Sequence, residues 1–103
     1  MVYYVAHKYG GNAQNMKRAA TVTHDLQIGD KENTYFCPLV AFSHLSYGEL
    51  GWEDEMALCI DMLSVCDKLI VASEISEGVS QEIEFARMVG MEVEYLENRL
   101  GEV

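Results

Sequence analysis

The feature that most constrains this chain is a short apolar run, Leu69-Ile70-Val71-Ala72, followed by Ser76-Glu77-Gly78-Val79-Ser80-Gln81-Glu82-Ile83-Glu84-Phe85-Ala86. The first part reads as a buried strand, and the second as a tight Ser/Gly turn opening an amphipathic helix. A strand that runs straight into a helix is half of a βαβ unit. It commits the chain to a parallel sheet with right-handed crossovers if the pattern repeats.

The pattern repeats. Val2 to Ala6 is a second apolar run, broken by Gly10-Gly11, and Asn12 is a good N-cap for a helix from Ala13 to about Ile28. Apolar or small residues recur there at Ala13, Met16, Ala19, Ala20, Thr23 and Leu26, and Gly29-Asp30 ends the helix. Thr34 to Cys37 reads as a strand cut by Pro38, the only proline. Leu39 to Trp52, aromatic and rich in His and Ser, reads as a long irregular loop. From Glu53 to Cys66 the stripe Met56, Cys59, Ile60, Leu63, Cys66 predicts a helix. After Leu69–Ala72, a helix from about Val79 to Val89 closes at Gly90, Met91 to Leu96 is a fourth strand, and Asn98–Val103 is a frayed tail. The expected architecture is one α/β domain over residues 1–103. It is a small three-layer, doubly wound, flavodoxin- or Rossmann-like parallel sheet of about four strands.

Composition narrows the partners. A net charge of −10, with 7 basic residues in 103, argues against a nucleic-acid face, which needs clustered Lys and Arg. The odd set Cys37, Cys59 and Cys66 has neither zinc-site spacing nor a plausible disulfide pair, so reduced, mostly buried thiols are expected. No apolar run reaches membrane-spanning length, and the first residues lack a signal-peptide core. The expectation is a soluble cytoplasmic protein that needs no cofactor or metal and does not bind a membrane.

Ligands of doubly wound sheets sit beyond the carboxyl ends of the strands, near the point where strand order reverses. Both Ala6–Asn12 and Ser73–Gln81 follow strand C-termini, so the two loops converge on one crevice. Glu82, read as a first-turn residue, then stands beside unpaired helix N–H groups that favour the ionised carboxylate. Two readings fit that position: a covalent nucleophile, or an acid that only complements the helix dipole.

The frame Ser-x-Gly-x-x-x-Glu-[Leu/Ile]-x-x-Ala over Ser76–Ala86 resembles the signature of the nucleoside 2-deoxyribosyltransferase superfamily, which includes the 2′-deoxynucleoside 5′-phosphate N-hydrolases. Val2-Tyr3-Tyr4-Val5-Ala6-His7-Lys8-Tyr9-Gly10-Gly11-Asn12 is similar to that superfamily's first strand and the loop after it. The resemblance covers nearly the whole chain. It implies a nucleophile at Glu82, a supporting hydroxyl at Tyr4, and Ser76 and Gly78 at the phosphate or sugar end. It also implies a nucleoside or nucleotide ligand and a homodimer or larger homo-oligomer. The sequence departs from the pattern in two places. Relatives carry an Asp where Cys59 stands, with Asp61 about 200° away around the helix. Better-known members have a Gly with Pro or Ser where this chain has Ala6-His7-Lys8.

The chemistry implied is cleavage of an N-glycosidic bond in a 2′-deoxynucleoside or its 5′-monophosphate, with water or a second base as acceptor. Backbone N–H groups of Gly10, Gly11 and Gly78, side chains of Asn12, Ser76 and Ser80, and the charge of Lys8 are the expected donors to a phosphate. Glu74 and Glu77 oppose one. His7 is a candidate contact to the base, Phe42, Tyr47 and Trp52 are candidate stacking surfaces, and His44 or Glu49 a candidate replacement for the missing acid. For Tyr4 a plain core aromatic, and for Gly10-Gly11 a plain turn, fit the sequence equally well. A nucleotide-binding module of the same fold without turnover is the alternative function.

Overall fold

A computed structural model of the chain describes residues 1–96. The tail reading for Asn98–Val103 lies outside the described residues. The elements are β1 (Val2–Ala6), α1 (Ala13–Gly29), β2 (Thr34–Phe36), α2 (Pro38–Ala41), α3 (Trp52–Ser64), β3 (Lys68–Val71), α4 (Glu77–Met88) and β4 (Glu92–Tyr95). The strands form an all-parallel sheet in the order β2-β1-β3-β4, a doubly wound α/β arrangement of the flavodoxin-like kind.

Alternation along the strands sends side chains to two cores, one per face. Tyr4 and Ala6 of β1 and Leu69 and Val71 of β3 point to one face, where they meet Leu63 of α3, Cys66, and Val79, Ile83 and Ala86 of α4. Val5 points the other way, to Ala19, Val22 and Leu26 of α1 and to Cys37. The sheet is thus sandwiched between α3 and α4 on one side and α1 on the other. The α1 stripe is narrower than its sequence pattern, since Ala13 and Ala20 are exposed. Thr23 donates its hydroxyl back to the Ala19 carbonyl at 2.7 Å.

Three helix boundaries matter for the site. Asn12 caps α1 as its side-chain oxygen accepts from the Gln14 and Asn15 amides. α3 begins at Trp52, after Gly51 at φ +86°, with Glu53, Asp54 and Glu55 in its first turn. α4 begins at Glu77 rather than near Val79, capped by Ser76, whose hydroxyl accepts from the Val79 amide at 3.3 Å.

That last boundary corrects the reading of Glu82. It lies in the second turn, away from the exposed amides at the helix start, and on the buried stripe Val79, Glu82, Ile83, Ala86. Its carboxylate is inside the protein instead of at a solvated helix end.

The 42–51 segment is also more ordered than its composition suggests. It is a chain of tight turns, with Leu45 N–H donating to the Phe42 carbonyl, Glu49 to Ser46 and Gly51 to Gly48. Glu49 accepts from the Ser46 amide, and the two oxygens of Glu55 accept from the Gly48 and Leu50 amides at 3.3 and 3.2 Å.

Candidate functional site

The strand order reverses between β1 and β3: β2 lies beyond β1 on one side, and β4 lies beyond β3 on the other. The loops after those two strands meet there. The Ala72 amide extends the ladder to the Ala6 carbonyl at 2.9 Å, and the Lys8 amide donates to the Ser73 hydroxyl at 2.8 Å. Above this junction is a cleft of about 290 Å³, walled by the β1 loop, α2, Tyr47, the first turns of α3 and the start of α4.

Glu82 and His7 are the buried polar side chains among the described residues, at 5 % and 7 % exposure, and both line this cleft. A buried carboxylate is costly unless compensated, and buried acids with shifted pKa values concentrate at functional sites. The Tyr4 hydroxyl donates to Glu82 Oε2. Burial nevertheless dominates and pushes the Glu82 carboxyl up from 4.5 to about 7, with the Tyr4 bond acting in the opposite direction. Tyr4 itself is fully buried, and burial together with the Glu82 charge pushes its hydroxyl far above the usual phenol range. It is therefore a donor that stays protonated at every physiological pH.

Cys59 lines the same cleft. Burial, and then the neighbouring Glu82 charge, push its thiol up to about 11, so it stands there neutral. All three cysteines are free thiols. The position that the resemblance assigns to an acid is thus on the cleft wall, but holds a group that neither ionises nor protonates near neutral pH.

The remaining candidates divide. Gly10, Ser76 and Gly78 line the cleft with His7 and Glu82, as do Tyr47 and Trp52. His7 Nδ1 donates to the Lys8 carbonyl at 2.8 Å, which turns Nε2 away from that bond. Gly11 lies behind the wall. It has φ +73°, and a Cβ there would come within 2.8 Å of the Tyr47 ring, so only glycine lets that ring sit where it does. Asn12 is occupied in capping α1, and Ser80 is exposed outside the cleft. Lys8 is tied to Glu74 at 2.8 Å. Phe42 lines a smaller adjoining hollow of about 90 Å³ with Leu45 and Leu58. Glu84 faces solvent, and Arg87 donates to the Tyr95 hydroxyl at 3.0 Å.

Neither His44 nor Glu49 lines the cleft; the carboxyl groups there besides Glu82 are those of Glu55 and Glu77. Glu55 was overlooked in the sequence although a signal was present: it stands four residues before Cys59, on the same face of α3. Tyr9 also lines the cleft, its ring edge-on to Tyr47 at 5.3 Å between centroids.

Among the described residues no helix is long and apolar enough to cross a membrane, and no three His, Cys, Asp or Glu side chains come together as a metal site would require. No curated protein and no solved structure is detectably similar to the chain. Residues 1–96 match the family described as a domain of unknown function, DUF7768, and the chain belongs to that family.

Proposed function

We propose that the protein cleaves the N-glycosidic bond of a 2′-deoxynucleoside or its 5′-monophosphate, as the resemblance to nucleoside 2-deoxyribosyltransferases implies. The observation that carries this reading is the Tyr4–Glu82 pair: a buried carboxylate on the wall of an open cleft, held by a donor that cannot ionise. An ionised acid buried without a cation partner costs stability, and such acids concentrate at functional sites.

In the first step Glu82 Oε attacks the anomeric carbon of the sugar. The C1′–N bond breaks, its electron pair leaves on the base, and the base takes up a proton. Positive charge that builds on the sugar is met by the carboxylate and then trapped as a glycosyl ester. Tyr4 holds the carboxylate in line throughout. Water then attacks C1′, the ester C–O bond breaks, and Glu82 leaves as carboxylate, so the net change adds H and OH across the C1′–N bond. A second base in place of water gives transfer. Glu55 is the cleft side chain suited to carry the base's proton.

A second reading has its own support. With a neutral thiol at Cys59 in place of an acid, the same cleft serves as a nucleoside-binding module without turnover. In either case the exposed rings of Tyr47 and Trp52 at the cleft offer apolar area to a second copy of the chain, in line with the homo-oligomer the resemblance implies. Incubating the protein with the four 2′-deoxynucleosides and their 5′-monophosphates, and following free base by chromatography, separates the two. Base release supports the enzyme; a rise in melting temperature without release supports the module.

A further inference from the structure

The charge around the cleft discriminates between the two ligand classes left open above. Among the described residues three carboxyl groups line it, those of Glu55, Glu77 and Glu82, and no Lys or Arg does. The cations near this end lie outside the cleft: Lys8 is held by Glu74 at 2.8 Å, and Lys17 and Arg18 line a separate hollow on α1. The starts of α1, α3 and α4 face this end of the sheet, where an anion would otherwise be welcome. In α1 the Asn12 oxygen takes the Gln14 and Asn15 amides, and in α4 Ser76 takes the Val79 amide while Glu77 adds a carboxylate to the first turn. The start of α3 has no side-chain cap, but Glu53, Asp54 and Glu55 place three carboxylates in its first turn. Lys31, Lys68 and Arg87 belong to the opposite end, before β2, at the start of β3 and in the last turn of α4.

We infer that the cleft selects an uncharged ligand, a 2′-deoxynucleoside with a free 5′-hydroxyl, over the corresponding 5′-monophosphate. This rests on the nucleoside reading of the site. A phosphate brings close to two negative charges and only acceptor oxygens, and it would meet carboxylates that are acceptors too. A sugar hydroxyl brings a donor, and a carboxylate is the stronger acceptor for it. The acids that repel the phosphorylated ligand are therefore the groups that suit the free one. The chain's net charge of −10 adds long-range repulsion of the same sign.

The test is calorimetric titration of the full chain with each 2′-deoxynucleoside and its 5′-monophosphate, at low and at high salt. The expected result is binding of at least one nucleoside about tenfold or more tighter than its monophosphate, with the gap narrowing in high salt as screening grows. Glu77→Gln removes one of these charges and should narrow the gap, tightening the monophosphate and weakening the nucleoside. Equal or tighter binding of the monophosphate by wild type overturns the inference and leaves the nucleoside reading standing. Binding of no nucleoside and no monophosphate overturns that reading and the inference with it. A gap that ignores both salt and Glu77→Gln overturns the electrostatic cause.

Discussion

The hydroxyl of Tyr4, on the central strand β1, donates to the carboxylate of Glu82, 78 residues later on α4. This bond joins the two sequence motifs that stand at opposite ends of the chain. It also crosses the core between sheet and helix, so it links the site to the packing that holds the fold. Tyr4→Phe removes the donor and leaves Glu82 buried without it. The expected cost is about 1–2 kcal/mol of stability in urea unfolding. Because the Tyr4 bond lowers the Glu82 pKa, its loss should also move the acidic limb of any activity profile to higher pH.

Burial raises Glu82 from 4.5 to about 7, and this has a signed consequence for stability. Between those values the folded chain keeps a proton that the unfolded chain has released. The contribution of this group is fully present below about pH 4.5 and is lost as pH rises through about 7. Glu82→Gln keeps an acceptor for Tyr4 but does not ionise. Its melting temperature should therefore gain on wild type as pH goes from 5 to 8, by up to about 3 kcal/mol in stability. A constant difference across that range would mean that Glu82 ionises as freely folded as unfolded. Activity runs the other way: an ionised nucleophile makes the acidic limb of the rate profile rise with pH through about 7.

Gly11→Ala tests how the wall is built. With φ at +73° and the Tyr47 ring 2.8 Å from the added methyl, the variant must strain its backbone and push the ring aside. A loss of about 1–2 kcal/mol is expected. Tyr47 lines the cleft, so ligand affinity should fall as well. Gly10→Ala has the positive φ but nothing near the added methyl, and should cost stability with less effect on binding.

Glu55→Gln separates loop support from proton transfer. Gln retains one acceptor for the Gly48 and Leu50 amides, so the melting temperature should drop only slightly. It cannot carry a proton, so base release should fall about tenfold to a hundredfold, as for loss of a general acid or base. Unchanged turnover would remove Glu55 from the chemistry.

The strand–helix alternation was legible because short apolar runs and helical stripes fall between clear Gly, Asn and Pro punctuation. The strands at Val2–Ala6 and near Leu69 and the helices starting at Ala13 and near Glu53 follow directly from it. The environment of Glu82 was not read correctly, although the pattern contained it. Starting α4 at Val79 makes Glu82 a first-turn dipole partner; starting it at Glu77, under the Ser76 cap, puts Glu82 on the stripe with Val79, Ile83 and Ala86. Local signals set a helix start only to within a residue or two, and here that margin separates an exposed acid from a buried one. Glu55 was legible in part. Its spacing of four from Cys59 puts it on the same face of α3, but the folding-back of the 42–51 turns onto its carboxylate is a tertiary arrangement that no local spacing reports.

The most direct test of the account is base release from the 2′-deoxynucleosides by wild type and by Glu82→Gln, both shown to be folded by their melting transitions. The account predicts free base with wild type and none with Glu82→Gln. Equal release by the two proteins, or release by neither, would contradict Glu82 as the nucleophile.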